Sequence, residues 1–562
     1  MKKFFVLIGA CFFLMGGLRS QSIVDARRLL YCERYEGAAH LLQSVLRADP
    51  NNAEAWWLLT RVYLHMDRVA PIRDSLLSLP AENRRAPLLL CAYGQVLLAE
   101  NKKDSAVGYF SRALEETKQK DPVVLFAIAS AQVDAPSGDA AYAVDLLTKA
   151  IKRDKRNPAL YVTLGNAYRK LQNGTESYKA YQDALVQDAK YAEALYRLGK
   201  IFVTQANPQV YVKYFNDAVA FDSLYAPAWY ELYYYHYFRD VNKAMDCLNH
   251  YIAASDKGLS NDYLMTDLLY ASKKYDEAIR KAEALIAHRG DAAEPRLFKL
   301  IAYSYKELND SAKALNYMRR YFSEQQDTGF VVKDYEAMGD IYAKMMHQPD
   351  SAALYYARAG EMEKDSTRRL EYDKKLAGIY KELKDYPNQA YWLGKYYQAA
   401  DGKATNLDLF NWGLAHFMAK DYQRADTVFG LYEEKYPEQD FGYYWRARSL
   451  AAIDTAMDSG LAIPHYLKLI DIAGKDTANK TNRKHLIESY GYIAAYKANT
   501  EKDYAGAIDY FEKLLSLDPG NSDAQKYVGI LKKNLSKTAV SKSAPDAGKE
   551  SAKKEKEGAG GL

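Results

Sequence analysis

The side chains that most often do chemistry are all present in this sequence, but none falls in a pattern that chemistry requires. The nine histidines are scattered singly. His236 lies among tyrosines and His416 among apolar residues of a periodic segment, which is the setting of a histidine packed into a helix face rather than of a metal ligand or a base. Beyond the first twenty residues the cysteines are Cys32, Cys91 and Cys247, widely spaced and without a C-x-x-C, so they read as small buried thiols and not as a zinc site or a disulfide framework. Carboxylate pairs such as Glu115-Glu116 and Glu433-Glu434 are neighbours in sequence. On a helix such neighbours diverge and cannot work together across a substrate. A glycine-rich phosphate loop, a G-x-S-x-G elbow and an H-E-x-x-H pair are all missing, and the glycines at 558–561 have no strand or helix pattern beside them. The residues predict a protein that is not an enzyme and holds neither a metal nor another cofactor.

What remains for chemistry is recognition, and tyrosine dominates it. Fifty of the 562 residues are tyrosine, well above an ordinary share. A ring with a hydroxyl at its tip can pack against apolar surface and still bond a peptide group or a sugar. Nucleic acid is excluded on charge. Setting aside residues 1–20 and 536–562 removes nine basic and four acidic residues from 77 and 72, leaving 68 of each. A balanced body with no basic helix cannot supply the concentrated positive surface that displaces counterions from phosphate.

The two ends differ from this body. Met1-Lys2-Lys3, the apolar run Phe4 to Leu18 and then Arg19-Ser20-Gln21 form a basic head, an apolar stretch and a small or polar exit, the layout of a secretory signal cleaved before Gln21. Residues 1–20 are therefore expected to be a signal peptide that directs the chain to the periplasm. The minority alternative is lipidation at Cys11, since Ile8-Gly9-Ala10-Cys11 has the outline of a lipoprotein box. No later apolar run is long enough to span a bilayer, so no transmembrane segment is expected once the signal is removed. At the other end, residues 536–562 are Lys, Ser, Ala, Gly and Glu with almost nothing apolar, and are expected to be a disordered tail.

The body is organised by a repeat of about 34 residues. From Pro158 the pattern places Tyr161, Leu164, Gly165 and Tyr168 on one helical face, breaks at Asn173-Gly174, and resumes with Ser177, Tyr181 and Ala184 on a second helix. One repeat further on stand Leu195, Leu198, Gly199 and Phe202, and then Trp229 and Leu232. Leu90, Gly94, Leu97, Ala106, Phe110 and Ala113 form another unit, and Tyr335, Met338, Gly339, Tyr342, Ala352, Tyr356 and Ala359 another. Gly413, Ala425, Phe429, Pro437 and Gly491, Ala507, Phe511, Pro519 close with a proline. Units near 260–290, 369–402 and 440–474 are helical in pattern but lack the small residue at the expected place.

With Trp56, Leu59 and Tyr63 after Pro50, this pattern resembles the signature of the tetratricopeptide repeat, W-x2-L-G-x2-Y followed by A-x3-F and P. The resemblance implies an all-α fold, a right-handed superhelical solenoid of stacked helix-turn-helix repeats. It gives about fourteen hairpins over 21–520, a capping helix at 521–535, and stability that comes from stacking on neighbours. In this family the face one step beyond the packed positions of each first helix lines a concave groove for partner segments. Carried over by position, that face comprises Trp57 and Arg61, Asn166 and Arg169, Tyr196 and Lys200, and Tyr230, Tyr234 and Tyr237. The family's carboxylate clamp is matched only loosely, because Val162 stands where it has lysine. The resemblance implies a binding scaffold of the bacterial cell envelope that holds extended segments of partner proteins, or alternatively a glycan-binding scaffold of a polysaccharide-export system. Residues 229–238 read equally well as groove or as aromatic core.

Overall fold

The computed structural model describes residues 22–80 and 84–542, and every regular element among them is helical, with no strand. The signal-like segment 1–20 and the end of the chain from residue 543 lie outside the described residues. Asp and Asn open the helices: Asn52, Asn157, Asn173, Asp240, Asp310 and Asp421 each accept a first-turn amide through the side chain, satisfying donors that the helix cannot. Between the two helices of a hairpin the chain reverses through one residue in the left-handed region. That residue is Asn101, Gln172, Ala206, Lys273 or Lys420, with φ between 52 and 61°. The expected break at Asn173-Gly174 is thus made by Gln172, while Asn173 caps and Gly174 is already helical.

Within each of two parts of the chain, neighbouring helices pack as pairs and the pairs stack on one another. The chain divides into two compact units, 1–308 and 309–562. In both, a residue in the first helix of a hairpin meets a residue near the middle of the second. Where it is glycine, a ring fills the space: a β-carbon on Gly94, Gly165, Gly199 or Gly413 would stand 2.3, 2.3, 2.5 and 2.8 Å from Phe110, Tyr181, Phe215 and Phe429. Tyr181 and Tyr356 are among the most deeply buried side chains of the protein. Signature tyrosines of the first helices, such as Tyr63 and Tyr161, are only half-buried and hydrogen bond through their hydroxyls, to Gln43 and to the Lys155 carbonyl.

Three details depart from the sequence pattern. The units that lacked a small residue do have one: Thr266, Ala377 and Ala447 are buried at the corresponding contact. Gly491 is not at that position, because the helix Lys480–Tyr496 runs into a π-helical turn, Lys497–Glu501, that shifts the register and puts Ala494 there. The last helix, Ser522–Lys542, continues past 535 into the segment expected to be disordered. No glycine or proline interrupts Leu535 to Lys542, so nothing stops the helix from propagating.

Within the first unit the stack also closes on itself. The helix at 22–31 and the turn after it touch residues some two hundred positions away. Arg28 pairs with Asp222 at 2.5 Å, and the Tyr31 hydroxyl accepts the Glu193 amide at 3.1 Å. Asp256 accepts the Glu36 and Gly37 amides at 2.7 and 3.2 Å, capping the helix Tyr35–Ala48, which has no local side-chain cap. Tyr31 packs between Tyr191 and Tyr225.

Candidate functional site

That closure frames a half-open pocket of about 320 Å³ whose walls come from the helix at 22–31 and from Ala53–His65, Pro122–Asp134, Pro158–Lys170 and Ala192–Thr204. Three of the residues expected in the groove, Trp57, Arg61 and Asn166, are brought together in its wall. Trp57 is not the open groove residue expected. It is 2% exposed, stands edge-on to Phe126 and lies under the Arg61 guanidinium, because the neighbouring helix Pro122–Asp134 covers it. Asn166 accepts the Tyr181 hydroxyl at 2.7 Å, which ties this wall to the hairpin core.

The remaining candidates separate into packed and open residues. Tyr196 packs on Phe215 and Tyr225, and Lys200 is held by Glu231 at 2.6 Å, so neither is free to hold a partner's carboxylate. Arg169 is exposed beside them. Helix Ala226–Tyr237 divides by face: Leu232 and Tyr233 are buried, whereas Tyr230 and Tyr234 are 38% and 61% exposed. Tyr237 is half-buried against Tyr233 and Phe238. The next helices add charge near this face. Arg296 pairs with Asp267, and both act electrostatically on Tyr237.

The cavity also holds residues that the repeat pattern did not single out. Glu33, Tyr31 and Tyr35 come from the N-terminal hairpin, and Arg197 and Glu193 form an ion pair at 3.3 Å across the way. Desolvation by the surrounding walls raises the Glu33 carboxyl above its ordinary value, against the pull of Arg197, although the side chain still reaches solvent. Burial also lowers the His65 imidazole, with Arg61 adding to the effect and Asp134 opposing it, while the ring stacks on Tyr35. No local signal could have gathered these residues, because they meet only where the solenoid returns to its own first hairpin. The thiols take no part in the cavity: Cys32, Cys91 and Cys247 are free and buried, and burial pushes Cys91 up to about 12.

Three segments of the chain match models of the tetratricopeptide repeat, residues 29–90, 409–438 and 495–521, and support that superfamily for the chain. No curated protein is significantly similar to it in sequence. Among solved structures it is similar to the C-terminal part of a TPR repeat-containing protein from Cytophaga hutchinsonii, with 27% identity over 47% of this chain and 98% of that one and a TM-score of 0.29. A tetratricopeptide repeat protein from Parabacteroides merdae gives 18% identity over 45% and 96%, with a TM-score of 0.31. A chain of the APC/C hetero-tetramer Cut9-Hcn1 gives 15% identity over 92% and 98%, with a TM-score of 0.24.

Proposed function

We propose that this protein is a non-enzymatic scaffold that holds extended segments of partner proteins, and that it works in the bacterial cell envelope after export to the periplasm. The observation that carries the binding role is the division of helix Ala226–Tyr237: its buried face is complete with Leu232 and Tyr233, yet Tyr230 and Tyr234 remain exposed. Exposed rings with hydroxyls suit a peptide whose backbone offers hydrogen-bond acceptors. Export rests on residues 1–20. Among the described residues no helix is long and apolar enough to cross a membrane.

The test is capture of peptides from an array of envelope-protein segments by the exported chain and by a Tyr230→Ala/Tyr234→Ala variant. The variant is expected to melt at nearly the same temperature and to lose most capture, since exposed aromatics contribute more to binding than to packing. Unchanged capture would overturn the site. Binding of soluble polysaccharide instead, lost in the same variant, would favour a glycan scaffold. N-terminal sequencing of the protein from cells is expected to begin near Gln21, and a lipidated Cys11 would correct the route.

A further inference from the structure

Helix Ala226–Tyr237 carries Tyr230, Tyr234 and Tyr237 at steps of four and three residues, which sets the three rings in one stripe along the helix. Tyr230 packs on Tyr233 and Tyr251, and Tyr237 on Tyr233 and Phe238. Among the described residues none of the three hydroxyls makes a hydrogen bond, and the Tyr234 ring, 61% exposed, touches no other ring. The stripe continues on the next hairpin. Tyr237 acts electrostatically on Tyr270 of helix Leu259–Ala271, whose hydroxyl is also without a partner among the described residues.

This surface offers flat rings and neutral donors, and the kind of segment that suits it follows from that. Arg296 and Asp267, which act electrostatically on Tyr237, are paired with each other. The cation is thus already neutralised, which disfavours an anionic motif. A sugar brings hydroxyl donors that want carboxylate or amide acceptors, and the carboxylate here is held by Arg296. An added β-strand needs an open sheet edge, and the described residues form no strand. Rings with unengaged donors suit a segment that is apolar, already extended and rich in carbonyl acceptors without amide hydrogens, which is a run of prolines in the polyproline II helix. That helix turns every three residues at about 3.1 Å each, so prolines three apart lie about 9 Å apart on one face. Tyr230 and Tyr237 are seven residues apart on an α-helix, a rise of about 10.5 Å. Two such prolines fall on the two rings, with Tyr234 between them.

We propose that the tyrosine stripe of helix Ala226–Tyr237 is a docking site for proline-rich segments of partner proteins, held as polyproline II helices. This rests on the scaffold reading and names the segment that the scaffold takes. The pyrrolidine rings lie on Tyr230 and Tyr237, and the tyrosine hydroxyls donate to the carbonyls between them.

Fluorescence anisotropy of labelled decaproline with the full chain tests this, with a labelled Gly-Ser peptide of the same length as the flexible control. Decaproline is expected to bind at least about tenfold more tightly than the control, because its extended conformation costs little further ordering. Tyr230→Phe/Tyr234→Phe/Tyr237→Phe keeps the rings and removes the donors. This variant should melt at the parent's temperature, since the hydroxyls bond nothing among the described residues. Its affinity for decaproline should fall by about tenfold or more, the product of three modest hydrogen bonds. If the triple variant melts lower, Tyr234→Phe alone isolates the hydroxyl effect at the most exposed of the three rings, as a loss of about threefold. The proposal is overturned if decaproline binds no better than the Gly-Ser peptide, or if the phenylalanine variants bind it as tightly as the parent. Proline-free segments captured from the peptide array and lost in Tyr230→Ala/Tyr234→Ala would also overturn it while leaving the scaffold reading standing. Polysaccharide bound at the same tyrosines without decaproline would overturn it in favour of a glycan.

Discussion

Gly165 lacks a side chain because Tyr181 occupies the space: a β-carbon there would stand 2.3 Å from Tyr181 Cε1. The same sixteen-residue step relates Thr60 to Leu76 and Thr266 to Ala282, all buried, so a larger residue in the first helix goes with a smaller one in the second. Gly165→Ala is therefore expected to cost about 1–3 kcal/mol by overpacking, and Tyr181→Ala about 3–5 kcal/mol by leaving a cavity. The double variant should recover about 1 kcal/mol or more of the sum, because the new methyl group enters the space the ring has left. Urea midpoints of the four proteins measure this, and strict additivity would show that the two positions do not share one volume. His416 gives a prediction about pH. It is 8% exposed, and burial lowers its pKa even though Asp421 lies 3.5 Å away. In the unfolded chain the imidazole takes up a proton near 6.5, while the folded one resists, so the unfolded state binds more protons in the window between 6.5 and the lowered folded value. Stability is thus complete above 6.5 and falls as the pH drops below it. His416→Gln, which carries no titrating group, should lose less stability between about pH 7 and 5 than the parent does. Parallel curves would mean that this histidine does not titrate differently on folding.

Helices absorb irregular spacing in a way that only the structure reveals. From Gly339 to Tyr356 there is one residue more than from Gly165 to Tyr181, yet a β-carbon on Gly339 would meet Tyr356 in the same way, at 2.7 Å. The surplus is taken up by the π-helical turn Ile341–Met345, after which His347 makes the left-handed reversal. Deleting Lys344, an exposed residue of that turn, should restore a regular helix at a cost of no more than about 1 kcal/mol, the scale of an exposed change. Deleting Arg169 from the regular helix Pro158–Lys170, also at an exposed site, should cost several times more, because it rotates the end of that helix away from its partner. Equal losses in thermal melts would refute the idea that the π turn is stored slack. The same case shows what could be read from the sequence. Hairpins were legible wherever Gly, Ala and an aromatic recur at fixed steps, as in the units of Gly94, Gly165 and Gly199. The contact residue was misplaced at Gly491, where a π turn changes the step, and not recognised where Thr266 stands in for glycine. Position along the first helix placed Arg61 and Asn166 among the candidates, and both line the pocket of the first unit. It could not show that Trp57 is covered or that Lys200 is held by Glu231, since those depend on side chains of other units.

The first unit departs from the usual thermodynamics of a repeat array, in which each hairpin feels only its neighbours. Its N-terminal hairpin is joined to residues far along the chain by Arg28–Asp222, by the Tyr31 hydroxyl on the Glu193 amide and by Asp256 on the Glu36 and Gly37 amides. Nothing in the sequence of residues 22–48 announces this, because closure depends on how hairpins accumulate rotation and not on any local motif. Asp256 is the most telling member of the set, since it supplies the cap that helix Tyr35–Ala48 lacks and does so from 220 residues away. Asp256→Ala is expected to cost about 0.5–2 kcal/mol, the range for losing a capping side chain. Its effect on local stability should be spread in a way that a linear stack forbids. Amide hydrogen exchange should quicken in Tyr35–Ala48 and, through the loosened contacts of Arg28 and Tyr31, at the ends of Ala192–Thr204 and Ala226–Tyr237. Helix Pro295–Glu307 belongs to the same unit but takes no part in these closing contacts, and should keep its protection. Asp246→Ala, in the preceding helix Val241–Ala254 at an exposed side chain paired with His250, is the control and should change none of these rates. If exchange in Asp256→Ala rises only around residue 256 itself, the contacts exist but carry no coupling. If it also rises in the N-terminal hairpin, the ring is one cooperative body and the cavity at its centre is held by both ends of the turn.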